Sequence, residues 1–115
     1  MARTQQIGIS TEKMAQAYLV QQGLRPLAKN YRSKMGEIDL IMSEAETLVF
    51  VEVRYRSSEA YGGALASVDH NKQSKLIKTA YTYLRKKRWQ GPCRFDVLAM
   101  NNDYECQWVK NAFGE

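Results

Sequence analysis

Histidine and cysteine, the usual protein ligands of zinc, are scarce in this chain. The 115 residues include one histidine, His70, and two cysteines, Cys93 and Cys106, which do not have a CxxC spacing. A disulfide framework, a zinc site, a His-based metal cluster and a Ser-His-Asp triad are therefore not indicated. Any metal ion would have to be held by oxygen atoms, which favours Mg²⁺ or Mn²⁺.

Long apolar segments are also missing. No run approaches the roughly 18 residues that a membrane span requires. The N-terminal stretch MARTQQIGIS lacks the apolar core of a secretion signal. We therefore expect a cytoplasmic protein with no membrane partner. A length of 115 residues suits one domain that covers 1–115 and leaves no room for a second core.

Basic residues outnumber acidic ones by 17 to 12, which gives a formal net charge of +5. Such an excess favours a polyanionic partner, either nucleic acid or a membrane surface. Much of it falls in one predicted helix, where a solvated face is the ordinary explanation. Lys72, Gln73 and Lys75 at the start of this helix, with Arg56 in the preceding loop, are candidates for contacts with backbone phosphates of DNA.

Hydrophobic periodicity and chain breakers predict the element order α-β-β-β-α-β-β. Helices are predicted over 8–22 and from 69 or 70 to 87, and strands over about 30–32, 37–43, 48–55, 94–100 and 104–109. The second helix is long enough for a crossover between parallel strands. We predict an α/β fold in which a mixed sheet carries a helix on each face.

The helices have recognisable ends and faces. Ser10 and Thr11 are candidate N-caps of the first helix, and Gly23 fits its C-terminal end. In the second helix the predicted apolar stripe consists of residues at helical spacing, namely Leu76, Ile77, Ala80, Tyr81 and Leu84.

Two acidic residues stand inside otherwise aliphatic strands, Asp39 in GEIDLIMSE and Glu52 in TLVFVEVRY. Carboxylates suit strand interiors poorly and cost free energy when they are buried without a partner. Strand alternation places Ile38, Leu40 and Met42 together on one face, so Asp39 points to the other. By the same rule Glu52 leaves the valine face of the second strand.

The turn between these strands fixes their register. The polar segment SEAET predicts a hairpin, and a two-residue or a four-residue loop gives the same pairing, with Ser43 opposite Leu48 and Asp39 opposite Glu52. Opposed residues have Cβ atoms about 4.5–5.5 Å apart, where like charges repel. A divalent cation would remove that repulsion, so we predict an ion site here. A turn cap for Asp39, and an ion pair with Arg54 for either acid, remain alternatives.

Three further charged residues need an interpretation. Arg54 shares the face of Glu52 and, since it stays protonated, can hold a phosphate oxygen or act as a counter-charge, but cannot be a general base. Glu12, at the edge of the buried side of the first helix, is a candidate third acid, although the helix macrodipole also explains an acid there. Asp96 is expected to form a structural ion pair or to anchor a loop.

The blocks GEIDLI, LVFVEVRYR, NKQSKLIKTAYTYL and RFDVLAM, in this order, resemble the YraN family of small, mostly uncharacterised bacterial proteins. Asp39 followed by Glu52-Val53-Arg54 also resembles the PD-(D/E)xK nuclease signature. The resemblance covers nearly the whole chain, from GISTEKMAQAYL onward. It implies a restriction-endonuclease-like fold akin to Holliday-junction resolvases, with Asp39 and Glu52 as metal-binding acids and Glu12 matching an acid that some relatives carry. Ile38 replaces the proline of the signature, and Arg54 stands where lysine is most common.

These observations predict a Mg²⁺- or Mn²⁺-dependent nuclease that hydrolyses phosphodiester bonds in DNA, with branched or single-stranded structures as candidate substrates. Asp39, Glu52, Glu12 and the main-chain carbonyl of Val53 would hold the ion, while Arg54 would steady the scissile phosphate. The first alternative is a DNA-binding module of the same fold without catalysis, which Arg54 in place of lysine favours. The second is a scaffold recruited through protein contacts. The sequence leaves a homodimer open.

Overall fold

The computed structural model describes residues 3–55, 68–101, 103 and 105–114, with the side chains of 3–10 excepted. The helices and strands of this part of the chain are α1 (Arg3–Gln21), β1 (Arg25–Ser33), β2 (Gly36–Glu44), β3 (Thr47–Tyr55), α2 (His70–Lys87), β4 (Cys93–Met100) and β5 (Cys106–Phe113). None of the helices in these ranges is long and apolar enough to cross a membrane.

The five strands form one sheet in the order β1-β2-β3-β4-β5. All neighbours pair antiparallel except β3 and β4, which run parallel. A parallel pair requires a crossover connection, and α2 lies in the segment that joins these two strands. The predicted α/β class with a mixed sheet is confirmed, and the arrangement is compatible with a three-layer restriction-endonuclease-like fold.

A helix covers each face of the sheet and forms a separate hydrophobic core. On the α1 face, Ala15 and Leu19 belong to a buried cluster with strand residues such as Val51 and Leu98. On the other face, Leu76 and Ala80 of α2 belong to a cluster that includes Phe50, Phe95 and Val97. Strands buried on both faces are nearly continuous apolar runs. This makes Glu52 in β3 and Asp96 in β4 exceptional.

The helix α1 begins at Arg3, several residues before the predicted Gly8. Ser10 and Thr11 therefore lie inside the helix, and their prediction as N-caps was wrong. The C-terminal end is close to the prediction, because α1 ends at Gln21 and Gly23 adopts a positive φ of 103° that favours glycine.

The helix α2 begins where it was predicted, with Asp69 as the N-cap. Its buried residues include Leu76, Thr79, Ala80 and Tyr83, whereas Tyr81 is 41% exposed. The prediction of Tyr81 in the apolar stripe was therefore wrong. Thr79 belongs to the buried face instead, and its hydroxyl lies 2.9 Å from Ser33 Oγ, which satisfies its hydrogen bonding inside the core.

The two edge strands differ most from their predicted limits. The strand β1 spans nine residues rather than three, and β5 ends at Phe113 rather than at Val109. Edge strands are exposed along one side and carry polar residues, so their hydrophobic alternation is weak. Pro26, which lacks an N–H donor, is tolerated in β1 because this strand has only β2 as a neighbour among the described strands.

Candidate metal centre

The hairpin of β2 and β3 has the predicted register. Glu44 pairs with Thr47, Ser43 pairs with Leu48, and the ladder continues to Leu40 opposite Val51. Asp39 and Glu52 are the next residues along the two strands. Both acids therefore lie where this ladder ends, at the point where β2 and β3 stop exchanging regular pairs.

The strand β2 changes face at Asp39. Ile38 packs in the cluster on the α2 side, whereas Leu40 and Met42 pack on the α1 side. The predicted common face of these three residues was therefore wrong for Ile38. The neighbouring strand is irregular at the same level, because Asn30, which lies opposite Asp39, has a left-handed φ of 53°.

The Asp39 side chain joins the two strands beyond the last ladder pair. The main-chain N–H of Val53 donates a hydrogen bond of 2.8 Å to Asp39 Oδ2. The carboxylate oxygen of Asp39 thus replaces a main-chain carbonyl as the acceptor for the Val53 N–H, which lies beyond the last regular pair of β2 and β3. This bond brings Val53 to the site through its N–H; the role of its carbonyl as an ion ligand stays a prediction.

Glu52 is a buried acid with incomplete compensation. Its side chain is 5% exposed, and its Oε2 lies 3.4 Å from Arg54 Nε and 3.7 Å from Lys72 Nζ. Its Oε1 is buried and has no hydrogen-bond partner in the described part of the chain, and the same is true of Arg54 Nε. A buried polar atom without a partner needs an explanation, such as an ion or another ligand.

The two acids perturb each other's protonation. The pKa of Glu52 is raised to about 7, mainly by burial and next by the negative charge of Asp39, while Lys72 and Arg54 act in the opposite direction. Burial also raises the pKa of Asp39, against the hydrogen bond from Val53 that lowers it. The two carboxyl groups lie close enough for the protonation of one to affect the pKa of the other. Without a cation, the pair therefore favours sharing a proton.

Glu12 approaches this pair from the α1 side of the sheet. Burial raises the pKa of Glu12, and the negative charges of Asp39 and Glu37 add to the effect, while a hydrogen bond with the Asn30 side chain lowers it. Among the residues that the structure describes, no group of three or more His, Cys, Asp or Glu side chains is arranged to hold a metal ion. The structure therefore has a close pair of acids, Asp39 and Glu52, and a third acid, Glu12, whose pKa is affected by the charge of Asp39. The role of Glu12 as a metal ligand stays a prediction.

Of the predicted DNA-binding residues, Lys72 lies at the acids. The side-chain amide of Gln73 instead donates a 3.0 Å hydrogen bond to the carbonyl of Val68, which stabilises the segment just before α2. Lys75 is exposed on the same helix. Arg56 lies outside the described residues. All four remain predictions as nucleic-acid contacts.

Asp96 has the structural role that was predicted for it. It is fully buried and accepts hydrogen bonds from the Arg94 guanidinium at 3.0–3.2 Å, from Trp108 Nε1 at 3.0 Å and from the main-chain N–H of Asn111 at 2.9 Å. Arg94 also binds Glu44 Oε1 at 2.6 Å. This network ties β4 to β5 and to the end of β2.

The sequence interpretation missed Asn30, which lies on β1 opposite Asp39. Lys29 pairs with Leu40 and Tyr31 with Ile38, which leaves Asn30 and Asp39 facing each other between these pairs. The signal that could have found it is the tight turn Lys34-Met35, which sets the register of β1 against β2. That register could not be used because the predicted strand covered only 30–32.

The residues at the end of the hairpin fit a hard divalent cation. Two carboxyl groups meet, a buried oxygen of Glu52 has no donor among the described residues, and the negative charge of Asp39 opposes the ionisation of Glu52. Clustered carboxylate oxygens of this kind are the ligands that Mg²⁺ and Mn²⁺ prefer.

Comparisons with known proteins agree on one family. The sequence model described as "Uncharacterised protein family UPF0102" matches residues 11–100. The chain is 52% identical to a UPF0102 protein of Nitrosomonas europaea, over 94% of this chain and 93% of the relative. It is 48% identical to a UPF0102 protein of Saccharophagus degradans, over 98% and 97% of the two chains.

One comparison with solved structures gave a distant similarity. SfsA of Pyrococcus furiosus, in complex with Ca²⁺, matches with a TM-score of 0.39 and 12% identity, over 93% of this chain and 63% of that one.

Proposed function

The chain belongs to the uncharacterised UPF0102 family, which confirms the resemblance to the YraN family, and we propose that it is a divalent-cation-dependent nuclease acting on DNA. The name of the family assigns no activity, so the proposal is built on the chemistry of the site. The observation that carries it is the buried Glu52 carboxyl group. This group faces a second acid and has an oxygen without a hydrogen-bond donor in the described part of the chain.

Asp39 and Glu52 would hold Mg²⁺ or Mn²⁺ through their carboxylate oxygens, with Glu12 and the carbonyl of Val53 as further candidate ligands. When bound, the ion supplies positive charge that polarises the scissile phosphate and makes water more acidic. The Val53 N–H keeps the Asp39 carboxylate oriented, so this ligand does not have to be ordered when the ion binds. The burial of Glu52, which is 5% exposed, strengthens its electrostatic interactions.

Arg54 and Lys72 would hold the phosphate. Both cations lie near the same oxygen of Glu52, at distances longer than those of good charged hydrogen bonds. An arriving phosphate can replace that oxygen as their partner, because the ion then neutralises Glu52. Lys72 also stands in the first turn of α2, where the macrodipole disfavours a cation and favours an anion. A phosphate oxygen at this position would stabilise both the lysine and the end of the helix.

The basic surface of α2 supports DNA as the substrate. Lys75 and Lys78 are exposed on the helix that carries Lys72. Cations spaced along one helix can neutralise successive phosphates and position a strand without reading its sequence. The three basic residues of the last turn, Arg85, Lys86 and Lys87, have a structural explanation in the macrodipole and are not needed for the proposal.

The direct test is cleavage of labelled DNA. Linear duplex, single strand, flap and four-way junction would be incubated with wild type, Glu52→Gln and the matched surface variant Glu46→Gln, in Mg²⁺, Mn²⁺ or a chelator. We expect metal-dependent cleavage by wild type and Glu46→Gln, and a loss of about 100-fold or more in Glu52→Gln. The enzymatic proposal fails if wild type cuts nothing that Glu52→Gln spares.

A binding module without catalysis is the second candidate, and the state of Arg54 favours it. An arginine here keeps its proton, and its Nε has no hydrogen bond among the described residues although it lies near Glu52. It would therefore anchor a phosphate rather than move a proton. Gel shifts that persist in chelator, with no cleavage of any DNA in the panel, would select this candidate.

A further inference from the structure

The tight turn between β1 and β2 carries an exposed methionine. Met35, in this turn, is 51% exposed, and the neighbouring Lys34 is exposed as well. We propose that Met35 is a wedge that inserts between the bases of DNA at a junction of duplex and unpaired strand. The inference rests on the proposed function, which makes DNA the partner and places a phosphate at Lys72 and the acids.

A methionine has no local role in this turn. Two-residue turns favour glycine, asparagine and aspartate, which fit the turn geometry. A single exposed apolar residue is common on protein surfaces and needs no explanation by itself. Met35 is distinguished by its position, because the turn joins β1 to the end of β2 that carries Asp39 and is flanked by basic residues.

The turn is fixed on α2. The Met35 N–H donates a 3.0 Å hydrogen bond to Ser33 Oγ, which lies 2.9 Å from Thr79 Oγ1. Gly36 lies against the same helix, since a Cβ atom at this position would be 3.5 Å from Lys75 Cβ and from Thr79 Oγ1. A turn that is already ordered does not have to be ordered when DNA binds, which leaves more binding energy for unstacking the bases.

The turn lies beside a row of cations on α2. Lys72, which is three residues before Lys75, has its Nζ 3.7 Å from Glu52 Oε2 and belongs to the candidate metal centre. Lys78, which is three residues after Lys75, is exposed. Because residues three apart are neighbours on a helix surface, these lysines form a continuous row. A DNA strand that follows the row towards the acids passes Met35.

The charge around the turn favours a polyanion. The helix α2 contains no acidic residue. The acid closest to Met35 in sequence is Glu37, which forms an ion pair of 3.4 Å with Arg32. Lys34 and Lys75 can therefore hold phosphates on either side of the inserted residue. Proteins that kink DNA combine an apolar residue, methionine among them, with basic residues in this way.

The position of Met35 selects DNA in which the strands already separate. Met35 precedes Asp39 by four residues, which corresponds to about 13 Å along a strand. That length equals about four stacked nucleotides at a rise of about 3.4 Å. Unstacking costs least where a base is already unpaired. We therefore expect a forked DNA to be bound with its branch point at Met35 and to be cut within about four nucleotides of it.

The test follows base unstacking in chelator, where cleavage cannot contribute. A forked and a linear duplex would each carry a fluorescent adenine analogue that brightens when it is unstacked, at the branch point or at the equivalent position. We expect wild type to bind the fork about 10-fold more tightly than the linear duplex and to raise the fluorescence at the branch point. Equal binding of the two DNAs, no rise in fluorescence, or no binding of either DNA would overturn the inference.

Matched variants assign the effect to the side chain of Met35. Met35→Ala removes the wedge and Met35→Gln replaces it with a polar chain of similar length; both should reduce the preference for the fork to about 2-fold or less and abolish the rise in fluorescence. Met35→Leu should retain both effects, because leucine also serves as a wedge. Leu27→Ala changes a residue that is likewise 51% exposed, near the other end of β1, and should behave as wild type.

The variants also separate this inference from the nuclease proposal. Unchanged unstacking in Met35→Ala, or an equal loss in Leu27→Ala, would contradict the wedge. Unstacking by wild type without metal-dependent cleavage of any DNA would uphold the wedge and refute the nuclease. Metal-dependent cleavage with the same sites and rates in wild type and Met35→Ala would do the reverse.

Discussion

Asp96 and Glu52 are two buried acids on adjacent parallel strands, but they differ in how completely their oxygens are hydrogen-bonded. Asp96 is fully buried and accepts hydrogen bonds from Arg94, Trp108 and the main chain of Asn111. Glu52 is nearly as buried, but its two cations lie at 3.4 and 3.7 Å and one of its oxygens has no hydrogen bond in the described part of the chain.

The difference distinguishes an acid that supports the fold from one that is available to a ligand. A buried carboxylate that is fully hydrogen-bonded costs little and fixes the elements that contact it. A buried carboxylate that faces another acid raises the free energy of the folded protein until a cation or a proton arrives. A buried acid thus stabilises the fold in β4, where it is Asp96, and in our proposal binds a metal ion in β3, where it is Glu52. The following predictions test this contrast.

The largest effect is expected at Asp96. Asp96→Asn removes the negative charge that compensates Arg94 inside the protein, so we expect the free energy of unfolding to fall by about 3 kcal/mol or more. Urea denaturation would measure this, with the exposed Glu46→Gln as a control that should stay within about 0.5 kcal/mol of wild type. A loss below about 1 kcal/mol in Asp96→Asn would mean that the network is not structural.

At Glu52 we expect the opposite effect on the free energy of unfolding, because the ionised acid destabilises the folded protein. Its pKa is about 7 in the folded protein against 4.5 ordinarily, so the folded state binds the proton more tightly than the unfolded state. In chelator, the stability of wild type should therefore fall as the pH rises from about 4.5 to about 7 and stay level above that range. The pKa difference corresponds to at most about 3 kcal/mol.

Glu52→Gln should remove that decline. We expect the variant to be more stable than wild type at about pH 8 by about 1–2 kcal/mol, since it also gives up the contacts with Arg54 and Lys72. Urea denaturation across this pH range would measure both proteins. A variant that is less stable than wild type at every pH would show that Glu52 is a structural acid like Asp96.

A smaller effect separates the two lysines of α2. Lys72 lowers the pKa of Glu52, so Lys72→Gln should raise that pKa above its wild-type value of about 7, as carbon-detected NMR of the carboxyl group can show. Lys75→Gln should leave it unchanged because Lys75 is exposed. We also expect Lys72→Gln to reduce cleavage by about 10-fold or more, and Lys75→Gln to weaken DNA binding by only a few-fold. Equal effects of both variants would place Lys72 outside the site.

The sequence predicted the parts of the fold that have strong hydrophobic patterns. The two central strands, the crossover helix α2 and the hairpin register that brings Asp39 towards Glu52 all follow from apolar periodicity and a short turn. The edge strand β1 was underestimated, because exposed strands do not need alternating apolar residues. The change of face at Asp39 and the left-handed φ of Asn30 opposite it are backbone irregularities, which hydrophobic periodicity does not predict.

The site was predictable in its acids and less so in its surroundings. Arg54 follows Glu52 by two residues, so their proximity could be read from strand alternation. The distance from Lys72 to Glu52 depends on how α2 packs on the sheet. The hydrogen bond from Val53 to Asp39 depends on where the ladder ends. Both are tertiary features without a local signal.

Calorimetric titration of Mn²⁺ into the protein tests the central claim most directly, because it asks whether the ion site exists. At about pH 8, where Glu52 is ionised, we predict that wild type and Glu46→Gln bind the ion and that Asp39→Asn and Glu52→Gln lose about 10-fold or more in affinity. Wild-type binding should weaken as the pH falls through about 7, since protons then compete for Glu52. No binding to wild type, or equal binding to Asp39→Asn, would contradict the account.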